Sequence, residues 1–420
     1  MTTLTDRYEG FLLDLDGVLY RGDDPVPGAA GAVASLRERG RRIVFLTNNS
    51  ARTPDRVAER LAGMGIPAEP DEVVTSAQAA AALVAKVVST PATAFVVGEE
   101  GVREALAGAG LRVVDGRPEH ADVVVVGWDR SADYEKLRTA SVLVQRGARL
   151  VATNADASYP APGGELWPGA GALLAAVETA TGVTAEVAGK PHGPLFEEAV
   201  HRAGTENVLV VGDRIETDVE GAIRAGLDAG LVLSGAAGPG DLLDAQGVPV
   251  AVAGDLGALV ECPWAGVRDA GPTDMEGVAG LVRSAGLEVI PTDAEFGTAL
   301  VAEDEDGSLL ATAAYERQDE EAYLRSVAVR ADLRGAGVGT LVVAAASQSA
   351  AGAGARTLFL YTKDARGFFG RLGFEALDAS EAPRWIAEGE SARYCEQGAT
   401  LMGRFLRAPT EAGSGRQYSR

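Results

Sequence analysis

The chain has 420 residues, with 60 Asp and Glu against 38 Lys and Arg and a formal net charge of −22, so its length suggests two or three domains and its acidity excludes nucleic acid and anionic membrane as partners. Two cysteines far apart, Cys262 and Cys395, point to a reduced cytoplasmic protein rather than a disulfide scaffold. The polar start MTTLTDRYEG lacks the apolar stretch of a signal peptide, and no apolar run approaches the roughly 18 residues of a membrane helix.

Strand-like and helix-like runs alternate from the start: FLLDLD, then GAAGAVASLRERG, RRIVFLT and TPDRVAERLAGMG, with Gly40 and Gly65 as helix stops. The rhythm continues through TAFVVG, GVREALAGAG, ADVVVVGWD, YEKLRTASVLVQRG and ARLVAT, and later through PLFEEAVHRAG, NVLVVGD and VEGAIRAG. This is the pattern of parallel βαβ units, whose ligands bind beyond the C-terminal strand ends. After Glu261 the style changes. GTALVAEDEDGSLLATAAYERQ reads as a hairpin turning at Asp306 and Gly307, and EAYLRSVAVR, a Gly-rich turn, an Ala-rich helix and RTLFLYT follow. That is a second fold, of α+β type. The tail APTEAGSGRQYSR reads as disordered.

Four strand ends of the first part carry polar groups: Asp14 and Asp16, Thr47, Lys190, and Asp213 with Asp218. Each alone has a plain reading, as a helix cap or a surface lysine. Together, at the same end of one parallel sheet, they suit phosphoryl transfer through a covalent aspartyl phosphate. Read as strand neighbours on one face, Asp14 and Asp16 repel each other unless a cation intervenes. Asp14 is then the nucleophile, and Asp16 the acid that protonates the leaving alcohol and later the base that deprotonates water. Oxygen ligands without a His or Cys cluster favour Mg²⁺, held by Asp14, Asp16 and Asp213 with Asp218 in support. Thr47 and the backbone amides of the following turn, at Asn48 and Asn49, are expected to hold phosphoryl oxygens, and Lys190 to offset charge.

At DLDGVLYRG, TNNS, GKP and GDRIETD the chain resembles the haloacid dehalogenase superfamily, in its NagD-like branch with a large inserted cap. The resemblance implies an α/β fold: a Rossmann-like core at residues 8–80 and 187–262, and an α/β cap at 81–186. Asp at position 16 favours a phosphatase over the related ATPases, which place Thr there, and over the dehalogenases. The implied substrate is a small phosphorylated metabolite, with glycerol 3-phosphate the first choice and phosphoglycolate, nucleoside monophosphates and pyridoxal phosphate as others. A homo-oligomer stays open. His192 reads as a loop histidine, because Asp16 fills the acid and base slot. Trp128, Asp129, Asn154 and Tyr159 of the cap are divided between leaving-group contacts and packing.

In the second part, backbone amides around Arg334, Gly335, Gly337 and Gly339, at a helix start, suit a pyrophosphate. The stretch LRSVAVRADLRGAGVG, with LFLYT and ARGFFGRLGF after it, resembles the GNAT acetyltransferases over about residues 265–408, which implies acetyl-CoA as ligand. Phe368 and Phe369 stand where many members carry a tyrosine acid, and Tyr361 or Tyr394 is the substitute at hand. The alternatives are therefore a bifunctional phosphatase and N-acetyltransferase, or a phosphatase tuned by acyl-CoA bound to a non-catalytic module.

Overall fold

The computed structural model describes residues 2–160, 165–287, 297–389 and 398–407. The tail from residue 409 and Tyr394 lie outside them. One compact unit comprises Thr5–Ala236 and Gly254–Glu261; the other comprises Met1–Leu4, Ala237–Ala253 and Cys262–Arg420.

The first unit begins with β1 (Gly10–Asp14), α1 (Ala29–Glu38), β2 (Arg42–Thr47), α2 (Pro54–Gly63), β3 (Val73–Thr75) and α3 (Ser76–Val87). Every residue of β1 is buried, as an apolar run covered on both faces by helices requires. Thr53 caps α2 by accepting the Arg56 amide, with Pro54 at the first helical position. An insertion follows: β4 (Thr93–Val97), β5 (Arg112–Val114), β6 (Val123–Val126), β7 (Arg149–Ala152), an antiparallel hairpin of β8 (Ser158–Pro160) with β9 (Leu166–Pro168), and β10 (Glu186–Val187). The chain then returns through α4 (Gly193–Ala203), β11 (Val208–Gly212) and β12 (Asp228–Val232).

These strands form two parallel sheets. The core runs in the order β12-β11-β1-β2-β3. Because β2 leaves β1 on one side and β11 on the other, the strand order reverses at β1, which puts the ligand crevice at its C-terminal end. The cap runs β10-β7-β6-β4-β5. Its core packs Phe95, Val124, Val126, Leu143 and Val177. All four valines of β6 are fully buried, each worth about 1.5–3 kcal/mol, so the cap has a hydrophobic core of its own. The expected cap boundaries shift slightly: Ala81 lies inside α3, and β10 spans the expected end at 186.

The second unit holds one seven-stranded sheet built from β13 (Gly266–Asp269), β14 (Thr298–Glu303), β15 (Leu309–Gln318), β16 (Glu321–Val329), β17 (Thr357–Thr362), β18 (Glu375–Ala376) and β19 (Thr400–Phe405), in the order β13-β14-β15-β16-β17-β19-β18. The β14–β15 hairpin turns through Gly307 at φ +77°, as the sequence predicts. The pairs are antiparallel except β16 with β17, which are parallel over Glu321–Tyr323 and Thr357–Phe359. Helix α5 (Val338–Gly352) packs its Ala- and Val-rich side on this sheet. Residues 237–253 group with this unit by their contacts. The reason is local: Gln348 on α5 donates to the Leu242 and Gly247 carbonyls and accepts from the Gly247 amide, while Arg404 pairs with Asp244 at 2.7 Å.

Candidate active site

Asp14 closes β1, Thr47 closes β2, Asp213 follows β11, and Lys190 lies in the loop between β10 and α4. All four are buried, as is Asp218. The Lys190 ammonium donates to Asp14 Oδ1 at 2.6 Å and to Asp218 Oδ1 at 2.5 Å. Carboxylate oxygens of Asp14, Asp213 and Asp218 lie within 4.8 Å of one another. Asp218 sits in a single wide turn, Ile215–Val219, of a kind that recurs at functional sites; the Arg214 amide donates to its Oδ2 at 3.1 Å. The Ala236 amide holds Asp213 Oδ2 at 2.7 Å. Glycines give these carboxylates room. A Cβ on Gly17, where φ is +82°, would lie 2.2 Å from Asp213 Oδ2, and one on Gly235 would lie 1.9 Å from the same oxygen.

The structure departs from the sequence reading at Asp16. Strand β1 ends at Asp14, and Asp16 lies in the turn beyond, where the Gly17 amide donates to the Tyr20 carbonyl. The two aspartates are therefore not strand neighbours on one face, and the Asp16 carboxylate is not among the three that cluster. It keeps solvent access at its surface but is recessed among protein atoms. That burial raises its pKa, against the pull of the Arg60, Lys190, Arg214 and Arg52 charges.

Charge balance decides what the cluster accepts. Burial lifts Asp14 well above the ordinary carboxylate range, and the neighbouring Asp218 and Asp213 add to the rise against the pull of Lys190. Burial and Asp218 likewise raise Asp213. Burial works against the Lys190 charge, yet Asp14 and Asp218 outweigh it and hold the ammonium protonated more firmly than an ordinary lysine. Three carboxylates against one ammonium leave a surplus negative charge in a buried place. The oxygen-only donor set and that surplus fit a hard divalent cation such as Mg²⁺; Asp14, Asp213 and Asp218 would hold it.

Other expected residues make hydrogen bonds within the protein. Thr47 Oγ1 accepts the Asn49 amide at 3.1 Å, which leaves its own O–H proton to donate. Asn49 Oδ1 accepts the Ala51 amide, and the Asn48 side chain is taken up by Lys190 and Asp156. Asp129 is buried against Lys136 at 2.6 Å and Ser131. Trp128 stacks on Tyr159 with centroids 4.2 Å apart and donates to the Pro168 carbonyl, so this pair braces the β8–β9 hairpin. Asn154 donates to the Asn48 carbonyl at 2.7 Å. His192 is the N-cap residue of α4, and burial with the nearby Arg224 lowers its pKa. Sequence reasoning missed Asp156 and Ser50. The signal was present: TNNS and TNAD each place Thr-Asn directly after a strand, and the two turns meet, with Thr153 Oγ1 donating to Ser50 Oγ at 3.0 Å.

Residues 11–112 match the haloacid dehalogenase-like hydrolase family, and residues 187–259 match a second haloacid dehalogenase hydrolase-like family. The 5′-nucleotidase YutF of Bacillus subtilis is 40% identical over 54% of this chain and 88% of its own length. The chain belongs to the haloacid dehalogenase-like hydrolases. The D-glycerol 3-phosphate phosphatase of Mycobacterium tuberculosis is 38% identical over 62% of this chain and 73% of its own length. A crystal structure of the glycerol phosphate phosphatase from that organism, in complex with magnesium, aligns with a TM-score of 0.64 and 31% identity over 82% of this chain and 92% of its own. This haloacid dehalogenase-like phosphatase also carries a C-terminal module that matches the GNAT acetyltransferase family over residues 283–374.

The glycine turn of that module is closely packed on one side. Gly337, at φ +82°, lies against the backbone of Val252: a Cβ there would be 1.9 Å from the Val252 carbonyl oxygen. A Cβ on Gly339 would be 3.2 Å from Val329 Cγ2 and 3.5 Å from Phe368 Cζ. Gly335, at φ +89°, faces open space. Two of the three positions thus exclude a side chain because the chain's own atoms stand where a Cβ would go.

Proposed function

We propose that the protein hydrolyses small phosphate monoesters with Mg²⁺ through an aspartyl phosphate on Asp14, and that glycerol 3-phosphate is its substrate. The observation that carries this reading is the Lys190 ammonium, bonded at once to Asp14 and Asp218 inside a three-carboxylate cluster, with Asp16 set apart from that cluster. Phosphate hydrolysis needs both parts: a nucleophile held in place and a separate proton carrier.

In the first step an Asp14 oxygen attacks phosphorus and the bond to the leaving oxygen breaks. Asp16 gives its proton to that oxygen, releasing the alcohol. In the second step water attacks the same phosphorus, Asp16 takes the water proton, and the Asp14 acyl–phosphate bond breaks, restoring both aspartates. Lys190 keeps Asp14 oriented and screens the phosphoryl charge, and the Thr47 hydroxyl donates to a phosphoryl oxygen. A divalent cation held by Asp14, Asp213 and Asp218 supplies further charge neutralisation when bound.

Glycerol 3-phosphate is favoured because the relative of that specificity aligns through both modules, over 82% of this chain. Phosphate release from purified protein over a panel of glycerol 3-phosphate, phosphoglycolate, sugar phosphates, pyridoxal phosphate and nucleoside monophosphates tests the assignment. A higher kcat/KM for any other member than for glycerol 3-phosphate would replace the substrate. The proposal concerns the phosphatase unit; the GNAT-type module is outside it.

A further inference from the structure

Lys190 has a demanding position and little regular structure to enforce it. Strand β10 stops at Val187 and α4 starts at Gly193, so no ladder or helix fixes the lysine backbone. Asn48 takes that part. Its Oδ1 accepts the Lys190 amide at 2.8 Å and its Nδ2 donates to the Lys190 carbonyl at 3.0 Å, so one side chain grips the residue at both ends. The same Nδ2 donates to Asp156 Oδ2 at 3.1 Å. Asp156 follows the end of cap strand β7, and its own amide is held by Asn154 Oδ1. The Asn48 carbonyl is occupied as well, accepting from Ser76 Oγ at 2.6 Å and Asn154 Nδ2 at 2.7 Å. Gly189 completes the fit, since a Cβ there would lie 2.7 Å from Asn48 Oδ1 and 2.5 Å from the Thr153 carbonyl.

The geometry points to Asn48 as a positioning residue that fixes Lys190 over Asp14 and makes that placement depend on Asp156 of the cap. It rests on Lys190 acting at the phosphate as proposed above. Asn48 has no free side-chain hydrogen to offer a substrate in this arrangement, since an amide has two and both are used. Its contribution is to orientation, where a shift of about 1 Å costs on the order of 100-fold in rate. Asp156 makes no hydrogen bond to Lys190 or Asp14, but its charge acts on Lys190 directly, and Asp156→Asn separates that field from the hydrogen bond to Asn48.

The test uses the full chain and two readouts. With glycerol 3-phosphate, Asn48→Ala should lower kcat by about 100-fold with KM within about threefold. Asp156→Ala should lower kcat by about tenfold, Asp156→Asn should stay near wild type because its amide oxygen still accepts from Asn48, and the Asn48→Ala/Asp156→Ala double variant should be no slower than Asn48→Ala. Independently of turnover, ¹⁵N labelling of the four lysines should show a slowly exchanging Lys190 ammonium in wild type and Asp156→Asn that is lost in Asn48→Ala and Asp156→Ala. Multiplying effects in the double variant, a raised KM at unchanged kcat in Asn48→Ala, or a Lys190 signal untouched by both alanine variants would overturn the inference. Wild-type protein inactive on every phosphate ester would instead remove the phosphatase reading, and the lysine signal would still decide the positioning role.

Discussion

Lys190 Nζ lies 2.6 Å from Asp14 Oδ1, although 176 residues separate them in the chain. The cap is inserted between these two residues, so the contact exists when both halves of the core have closed around it. Asp14→Asn keeps the volume and loses the nucleophile; turnover should fall at least on the order of 10³-fold with the fold unchanged by circular dichroism. Lys190→Met should be nearly as slow and also less stable, because removing one partner of a buried ion pair costs about 3–5 kcal/mol. A Lys190→Met protein that melts with wild type in metal-free buffer would contradict the charge balance described here.

Metal should act on stability as well as rate. Asp14 and Asp213 have raised pKa values in the folded protein, so between the unfolded and folded values the native state binds more protons, and stability from these groups falls as pH rises through that window. Protons or a cation relieve the same repulsion. EDTA-treated protein should therefore gain thermal stability on adding Mg²⁺, about 2.7 kcal/mol at a hundredfold excess over Kd, and the gain should shrink as pH is lowered toward 5. Scanning calorimetry at pH 5 and 7.5 measures it. An equal gain at both pH values, or none in wild type, would break the link to these carboxylates.

Asp16 stands outside the carboxylate cluster, and its proton work can be separated from that of Asp14. Desolvation by the surrounding atoms raises its pKa, the direction that favours a proton donor. Asp16→Asn should slow glycerol 3-phosphate hydrolysis by about 10²–10⁴-fold. With p-nitrophenyl phosphate, whose leaving group departs without a proton, the first step should survive and the second should stall. Rapid-quench kinetics should then show a burst near one equivalent of p-nitrophenol. Full multiple turnover without a burst would take the base role away from Asp16.

Much of this site was legible because it rests on residue type at strand ends. Asp14, Thr47 and Asp213 each follow or close a buried apolar run, and parallel topology brings such ends together. Two things were not legible. The turn at Gly17 ends β1 two residues before Asp16, and strand alternation cannot reveal where a strand stops. The side chains of Asn48 and Asn49 answer to Lys190, Asp156 and Ala51, partners fixed by tertiary closure that a place after Thr47 does not reveal.

The glycine turn of the GNAT-type module gives the last prediction. Gly335 and Gly337 both have left-handed backbone, at φ +89° and +82°, but Gly335 faces open space whereas Gly337 abuts the Val252 carbonyl. An alanine at either position pays the same backbone strain, so Gly335→Ala serves as the control for Gly337→Ala. The clash with Val252 adds an overpacking cost of about 1–3 kcal/mol, which should lower the apparent melting temperature of Gly337→Ala by about 5 °C below that of Gly335→Ala. If the turn serves packing alone, acetyl-CoA at millimolar concentration should leave wild-type melting unchanged, since a ligand that binds the folded state must raise it. If instead acetyl-CoA stabilises wild type, and Gly337→Ala melts with Gly335→Ala while losing that stabilisation, the turn is a cofactor cradle and the Val252 contact is incidental to it.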